Sequence, residues 1–254
     1  LDELFEDMFA ELSDAEIEKL KARYATTGSV VEAPKLIAAK AKSMLWHYIS
    51  TVMPNGFKAQ VTASSRLATI RYRGALRAAR DELVAQIEAL PAHLLGAAVD
   101  VDGLDRKTQV LVRTADQLEL LRALEFVPVI SGSNNDDPAW AQWTDKSRQD
   151  AAIDDFKKKL GMPGEKTSPV AFLLVRTMLL TGFDASVEQV LYLDRSMQDA
   201  ELLQAIARVN RTSTAKSVGL LVDYYGVGAH LRRALKAYAP EDAEDAIGAL
   251  ASIK

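Results

Sequence analysis

The chain has 254 residues, 48% of them hydrophobic and 26% charged, which is enough to bury a core and fits one main domain with additions at its ends. With no cysteine and only His47, His93 and His230, disulfide scaffolds, cysteine nucleophiles and zinc sites drop out, and no metal-ligand set is expected. A net charge of -4 excludes a bulk polyelectrolyte binder, so any contact with nucleic acid has to come from a local patch.

In chain order, Ser13-Asp14-Ala15-Glu16 is a capping box that predicts a helix to about Tyr24, broken by Thr26-Thr27-Gly28-Ser29. A second helix is predicted from Pro34 to Val52, with Met44, Leu45, Tyr48 and Ile49 as a face that docks on a neighbour. Pro54-Asn55-Gly56 turns the chain into a strand over Lys58–Ala63, and a long helix to about Ala89 follows. That helix carries Arg73, Arg77 and Arg80 on one face with Arg71 nearby, a stripe read as a solvated face in preference to a DNA track. Further on, Gln109–Val112 is a possible strand, Ala115–Leu124 a helix, Phe126–Ile130 a strand, 131–138 a loop and Arg148–Leu160 a helix.

The apolar run Val170–Val175 reads as a buried parallel strand and Gln189–Asp194 as a second. Strands alternating with helices predict an α/β fold, a parallel sheet covered on both faces, with an Ala-rich helical tail after Gly228. In open sheets of this kind a ligand sits beyond the carboxyl ends of the strands, where the loops Thr181–Asp184 and Asp194–Asp199 fall.

Those loops and the helix predicted after them hold the most informative residues. On a helix Gln204, Arg208 and Arg211 lie at i, i+4 and i+7, so one face presents an amide and two guanidinium forks suited to phosphate. Leu202, Leu203, Ile206 and Val209 would pack that helix on the sheet and hold the arginines still, as stabilising charge on a transferring phosphoryl group requires. Gly182 would let backbone approach a ribose or phosphate, and Asp184 is placed to accept a sugar hydroxyl. Taken alone, a plain turn glycine and a helix-capping aspartate explain the same two residues.

Two other stretches imitate chemistry. Gly161-Met162-Pro163-Gly164-Glu165-Lys166-Thr167 leads into a strand, whereas a phosphate loop follows a strand and opens a helix, so it is read as a helix cap and turn. Asp105-Arg106-Lys107 and Asp155-Phe156-Lys157 lack the upstream acid that a metal-dependent nuclease needs. No Gly-x-x-x-x-Gly-Lys-Ser/Thr and no Asp-Glu-x-His/Asp box is present, so β- and γ-phosphates and magnesium would have to be held elsewhere.

Strand, Gly-containing loop, strand and arginine helix together resemble the last two motifs of superfamily-2 helicases and translocases. The words Met178-Leu179-Leu180-Thr181-Gly182-Phe183-Asp184-Ala185, Leu191-Tyr192-Leu193-Asp194 and Leu202-Leu203-Gln204-Ala205-Ile206-Ala207-Arg208-Val209-Asn210-Arg211 resemble the motor (R) subunit of type I restriction enzymes. Asn55–Arg66 is similar to that family's opening strand of the second motor lobe, and Gly219–Gly226 to its closing strand. The chain departs from the family pattern at Thr177, Ser186 and Arg195-Ser196, where Asp, Pro and Lys-Pro are usual.

The resemblance implies a RecA-like second lobe over residues 51–227, a helical connector from the first lobe over 1–50 and the start of a helical region at 228–254. It implies Arg208 and Arg211 as catalytic arginines, Gly182, Asp184 and Gln204 at ATP, and Ser65, Arg66 and Thr181 at the DNA backbone. It implies magnesium held by the missing first lobe, and as partners double-stranded DNA with specificity and methyltransferase subunits. The rivals are a lobe of another superfamily-2 helicase or remodelling translocase, and a docking module that no longer hydrolyses ATP. No apolar run is long enough to cross a bilayer and no signal peptide is visible, so the cytoplasm is the expected compartment. Leu1 in place of an initiating Met is read as a cut inside a longer protein.

Overall fold

The computed structural model describes residues 32–96, 99–180, 182–197, 201–205 and 218–226. Helix α1, Pro34–His47, starts on a proline, whose missing N–H costs nothing in a first turn, and runs on through a π-turn at Tyr48–Val52 and a 3-10 turn at Met53–Asn55. Gly56, at φ 74, ends this run in the left-handed conformation that glycine adopts without strain. Strand β1, Lys58–Ala63, follows and is buried at every position. The Ser65 hydroxyl accepts from the Ala68 amide and caps α2, Arg66–Glu88, which buries Tyr72, Leu76, Ala79, Leu83 and Ile87 at helical spacing.

After α2 come α3, Arg106–Ala115, α4, Leu118–Ala123, and β2, Glu125–Val129. A short helix α5, Ala141–Thr144, precedes α6, Lys146–Lys157, and the two-residue strands β3, Lys159–Leu160, and β4, Thr167–Ser168, pair with each other. The main strands β5, Val170–Val175, β6, Glu188–Asp194, and β7, Leu220–Asp223, complete a five-stranded sheet of order β2-β5-β1-β6-β7. All four of its strand pairings are parallel, which is the α/β, RecA-like arrangement that the sequence predicts.

Four expectations need correction. Gln109–Val112 is not a strand but the middle of α3, where the Asp105 carboxylate accepts from the Lys107 and Thr108 amides and starts a helix that buries only Leu111 and Thr114. The helix predicted over Ala115–Leu124 covers only Leu118–Ala123, and the one predicted to reach Leu160 ends at Lys157, its last residues forming β3. The arginine stripe on α2 is not a simple wet face. Arg73 lies over the Trp143 ring, Arg80 donates to the Leu124 carbonyl and Arg71 to that of Glu32, while Arg77 is exposed.

Ile37, Met44, Tyr48 and Val52 share one apolar cluster with β1, β5, β6 and α2, so the core runs across residue 50 without a break. Among the described residues no helix is long and apolar enough to cross a membrane.

Candidate functional site

Because the sheet is parallel, the carboxyl ends of all its strands open on one edge. Ser65 and Arg66 follow β1 there, Gly182 and Asp184 lie in the connection between β5 and β6, and Gln204 sits in the helical stretch 201–205 beyond β6. Gly182, Asp184 and Gln204 are all exposed. Thr181, Arg208 and Arg211 lie outside the described residues. The phosphate-loop imitation at 161–167 belongs to the other edge, between β3 and β4, with the Gly164 amide donating to the Thr167 carbonyl.

Gly182 has φ 70, and a Cβ built on it would meet nothing within 4 Å. Its glycine is needed for backbone conformation and leaves the approach from outside open. Leu179, in the same connection, also has positive φ, at 64, although a branched side chain makes that conformation costly. Leu179 is half-buried and packs against the apolar cluster that contains Val175 and Phe183.

The β1–α2 turn is already engaged within the chain. Ser65 caps α2, as above. Arg66 forms a fork on Asp136, with contacts of 2.6 and 2.7 Å, donates to the Ser131 carbonyl at 2.8 Å, and lies 5.5 Å from the centre of the Trp140 ring. The guanidinium holds the Asp136 carboxyl below the usual carboxylate range. Arg66 therefore ties the end of β1 to the loop after β2, and any ligand phosphate would compete with Asp136 for it.

Two further groups at this edge escaped the sequence reading. Asp194, the last residue of β6, is buried and accepts from Lys40 on α1 and from the Tyr72 hydroxyl on α2, each at 2.5 Å. Burial pushes its carboxyl above the ordinary value although Lys40 and Tyr72 pull the other way. The available signal was Lys40 itself, a lysine inside the apolar stripe Leu36, Ile37, Ala41, Met44. Next along the chain, Arg195 makes a bidentate pair with Glu201 at 2.7 and 2.8 Å and donates to the Arg176 carbonyl just past β5 at 3.1 Å. No periodicity announces that pair. Beneath it Met197, Leu202 and Ala205 pack with Leu180, Leu191 and Leu193.

Residues 131–226 match a family model described as type I restriction enzyme subunit R domain 3. The chain is 46% identical over 77 residues to the type I restriction enzyme HindI endonuclease subunit of Haemophilus influenzae, an alignment covering 29% of this chain and 7% of the relative. It is 33% identical over 123 residues to a putative type I restriction enzyme MjaIXP endonuclease subunit of Methanocaldococcus jannaschii, covering 48% and 11%. A third relative, the putative MjaVIIP endonuclease subunit of the same organism, is 53% identical over 55 residues, 22% of this chain and 5% of its own. The chain thus matches only a small part of the length of these relatives.

Proposed function

We propose, from the premise that residues 131–226 carry domain 3 of a type I restriction enzyme R subunit, that the chain is the second RecA-like lobe of that subunit's DNA-translocating motor. The observation that carries this reading is the convergence of its loops. Ser65, Arg66, Gly182 and Asp184 all follow parallel strands at one carboxyl edge, and Gln204 follows the next strand in the same direction. The residues suit a nucleotide. The open backbone at Gly182 admits a ribose or phosphate, and exposed Asp184 and Gln204 supply a hydroxyl acceptor and an amide.

In this reading ATP lies between the chain and a first lobe that holds its phosphates and magnesium. Arg208 and Arg211 supply fixed positive charge to the transferring phosphoryl group, a task of electrostatic placement rather than covalent chemistry. Ser65, Arg66 and Thr181 face the DNA backbone, whose charge is the same for every sequence, as a translocase requires. Arg66 reaches a phosphate only by leaving Asp136. Specificity and methyltransferase subunits recognise the DNA, and the assembly works in the cytoplasm.

The test is ATP turnover by the motor subunit that carries this lobe, with and without DNA. Arg208→Ala or Arg211→Ala is expected to cut DNA-stimulated turnover by about a hundredfold or more while leaving folding intact. Arg→Lys should recover little, since an ammonium does not reproduce a planar fork. Near wild-type turnover in both alanine variants would overturn the assignment.

A further inference from the structure

The connection from β6 to the helical stretch 201–205 is fixed at two consecutive residues that point in different directions. Asp194 is held inward by Lys40 and Tyr72, and Arg195 reaches sideways to Glu201 and to the Arg176 carbonyl. The second contact is the one that touches the helix. Glu201 lies three residues before Gln204, about one helical turn, so a fork on Glu201 sets both the height and the rotation of the stretch that presents Gln204. A bidentate arginine–carboxylate pair resists rotation in a way a single hydrogen bond does not, because two parallel N–H···O contacts fix the plane of both groups. The third contact, to Arg176, references the helix to the strand whose continuation carries Gly182.

The geometry points to Arg195 and Glu201 as a bracket of positioning residues that sets the helical stretch 201–205, with Gln204, against the Gly182–Asp184 loop for nucleotide turnover. This rests on the motor reading above. Neither residue touches nucleotide; each acts through the helix. The side chains are partly accessible, with exposures of 15% and 31%, so the pair holds geometry more than it holds the fold. The apolar contacts of Met197, Leu202 and Ala205 keep the segment on the sheet when the bracket is gone, and what is lost is register.

The experiment uses the motor subunit with four variants: Arg195→Ala, Glu201→Gln, the charge exchange Arg195→Glu with Glu201→Arg, and Arg208→Ala as a reference. The first two are expected to lower kcat for DNA-stimulated ATP turnover by about tenfold to a hundredfold, the range that a small misplacement of catalytic groups produces. KM for ATP should stay within about threefold and the melting temperature within about 2 °C, as for loss of a partly exposed pair. The exchanged pair should recover more than half of the lost kcat, which a merely local structural defect would not do. The bracket is overturned if Arg195→Ala and Glu201→Gln turn over at wild-type rate while Arg208→Ala is inactive, or if kcat falls only in step with melting temperature. If Arg208→Ala also turns over normally, the motor reading fails and the bracket with it.

Discussion

On one face of the sheet Ala59, Val61, Phe172, Leu174, Val190 and Tyr192 merge with α1 and α2 into a single apolar cluster; on the other the central strand presents Gln60 and Thr62. Gln60 is in register with Leu173 on one side and Leu191 on the other, and Thr62 with Val175 and Leu193. The polar row therefore cuts the second face into two small clusters. One contains Leu173, Val175, Phe156 and Phe183, the other Leu191, Leu193, Met197 and Leu202. The first face is covered by long helices. Among the described residues the second is covered by α6 and by the connections that bear the candidate site.

The comparison breaks most severely at the top of the first face. Lys40 and Asp194 are almost completely buried there, and removing one leaves the other charge without its partner. Asp194→Asn is expected to cost about 3–5 kcal/mol of unfolding free energy in denaturant titration. The double variant Lys40→Met with Asp194→Asn should recover much of this, because no buried charge is then stranded. If the double variant is no more stable than Asp194→Asn, the pair is not what holds α1 to β6.

A smaller effect belongs to the bottom of the second face, where a buried lysine can shed its proton. Burial lowers the Lys58 amine to about 7, against a weaker opposing pull from Asp155 and a further push down from Lys158. It donates to the Asp155 carbonyl, and β6 sets Glu188 in register beside it. In the unfolded chain this lysine stays protonated to near its ordinary value, so between pH 7 and that value the unfolded state binds more protons and stability rises with pH. Below about 7 both states are protonated and the dependence flattens. Melting curves of wild type and Lys58→Met from pH 6 to 10 should show the wild type gaining on the variant as pH rises. Parallel curves would show that the amine keeps its charge.

The two faces also differ in how far the sequence revealed them. Apolar runs gave β5 its bounds and β6 within one residue, because a strand buried on both sides leaves no alternation to misread. The same logic misled at Val110-Leu111-Val112, where β-branched residues in an amphipathic helix imitate a strand and only the Asp105 cap argues otherwise. A turn glycine was one of the two readings of Gly182, and its positive φ fits that reading. The Arg66–Asp136, Lys40–Asp194 and Arg195–Glu201 pairs were not, because charge pairing between separate elements depends on topology and leaves no periodic trace. Reading the α2 arginines as solvated holds at Arg77 and fails at Arg71, Arg73 and Arg80 for the same reason: their partners come from other segments.

The smallest expected effect tests the comparison most directly, because it moves one methyl group for one hydroxyl. The Thr62 hydroxyl and both ends of the Gln60 amide are buried and find no hydrogen-bond partner among the described residues. A buried hydroxyl without a partner carries its desolvation penalty uncompensated. Thr62→Val keeps the shape and removes that penalty, so it should raise stability by about 1 kcal/mol, or about 2–4 °C in melting temperature for a domain of this size. The mirror change one residue earlier, Val61→Thr, places a hydroxyl in the continuous apolar face and should cost about 1–3 kcal/mol. Opposite signs at adjacent positions of one strand would establish that the faces differ in polar satisfaction as well as composition. If Thr62→Val is destabilising, the hydroxyl has a partner that supports the second face, and the division of that face is a designed contact rather than a gap in its packing.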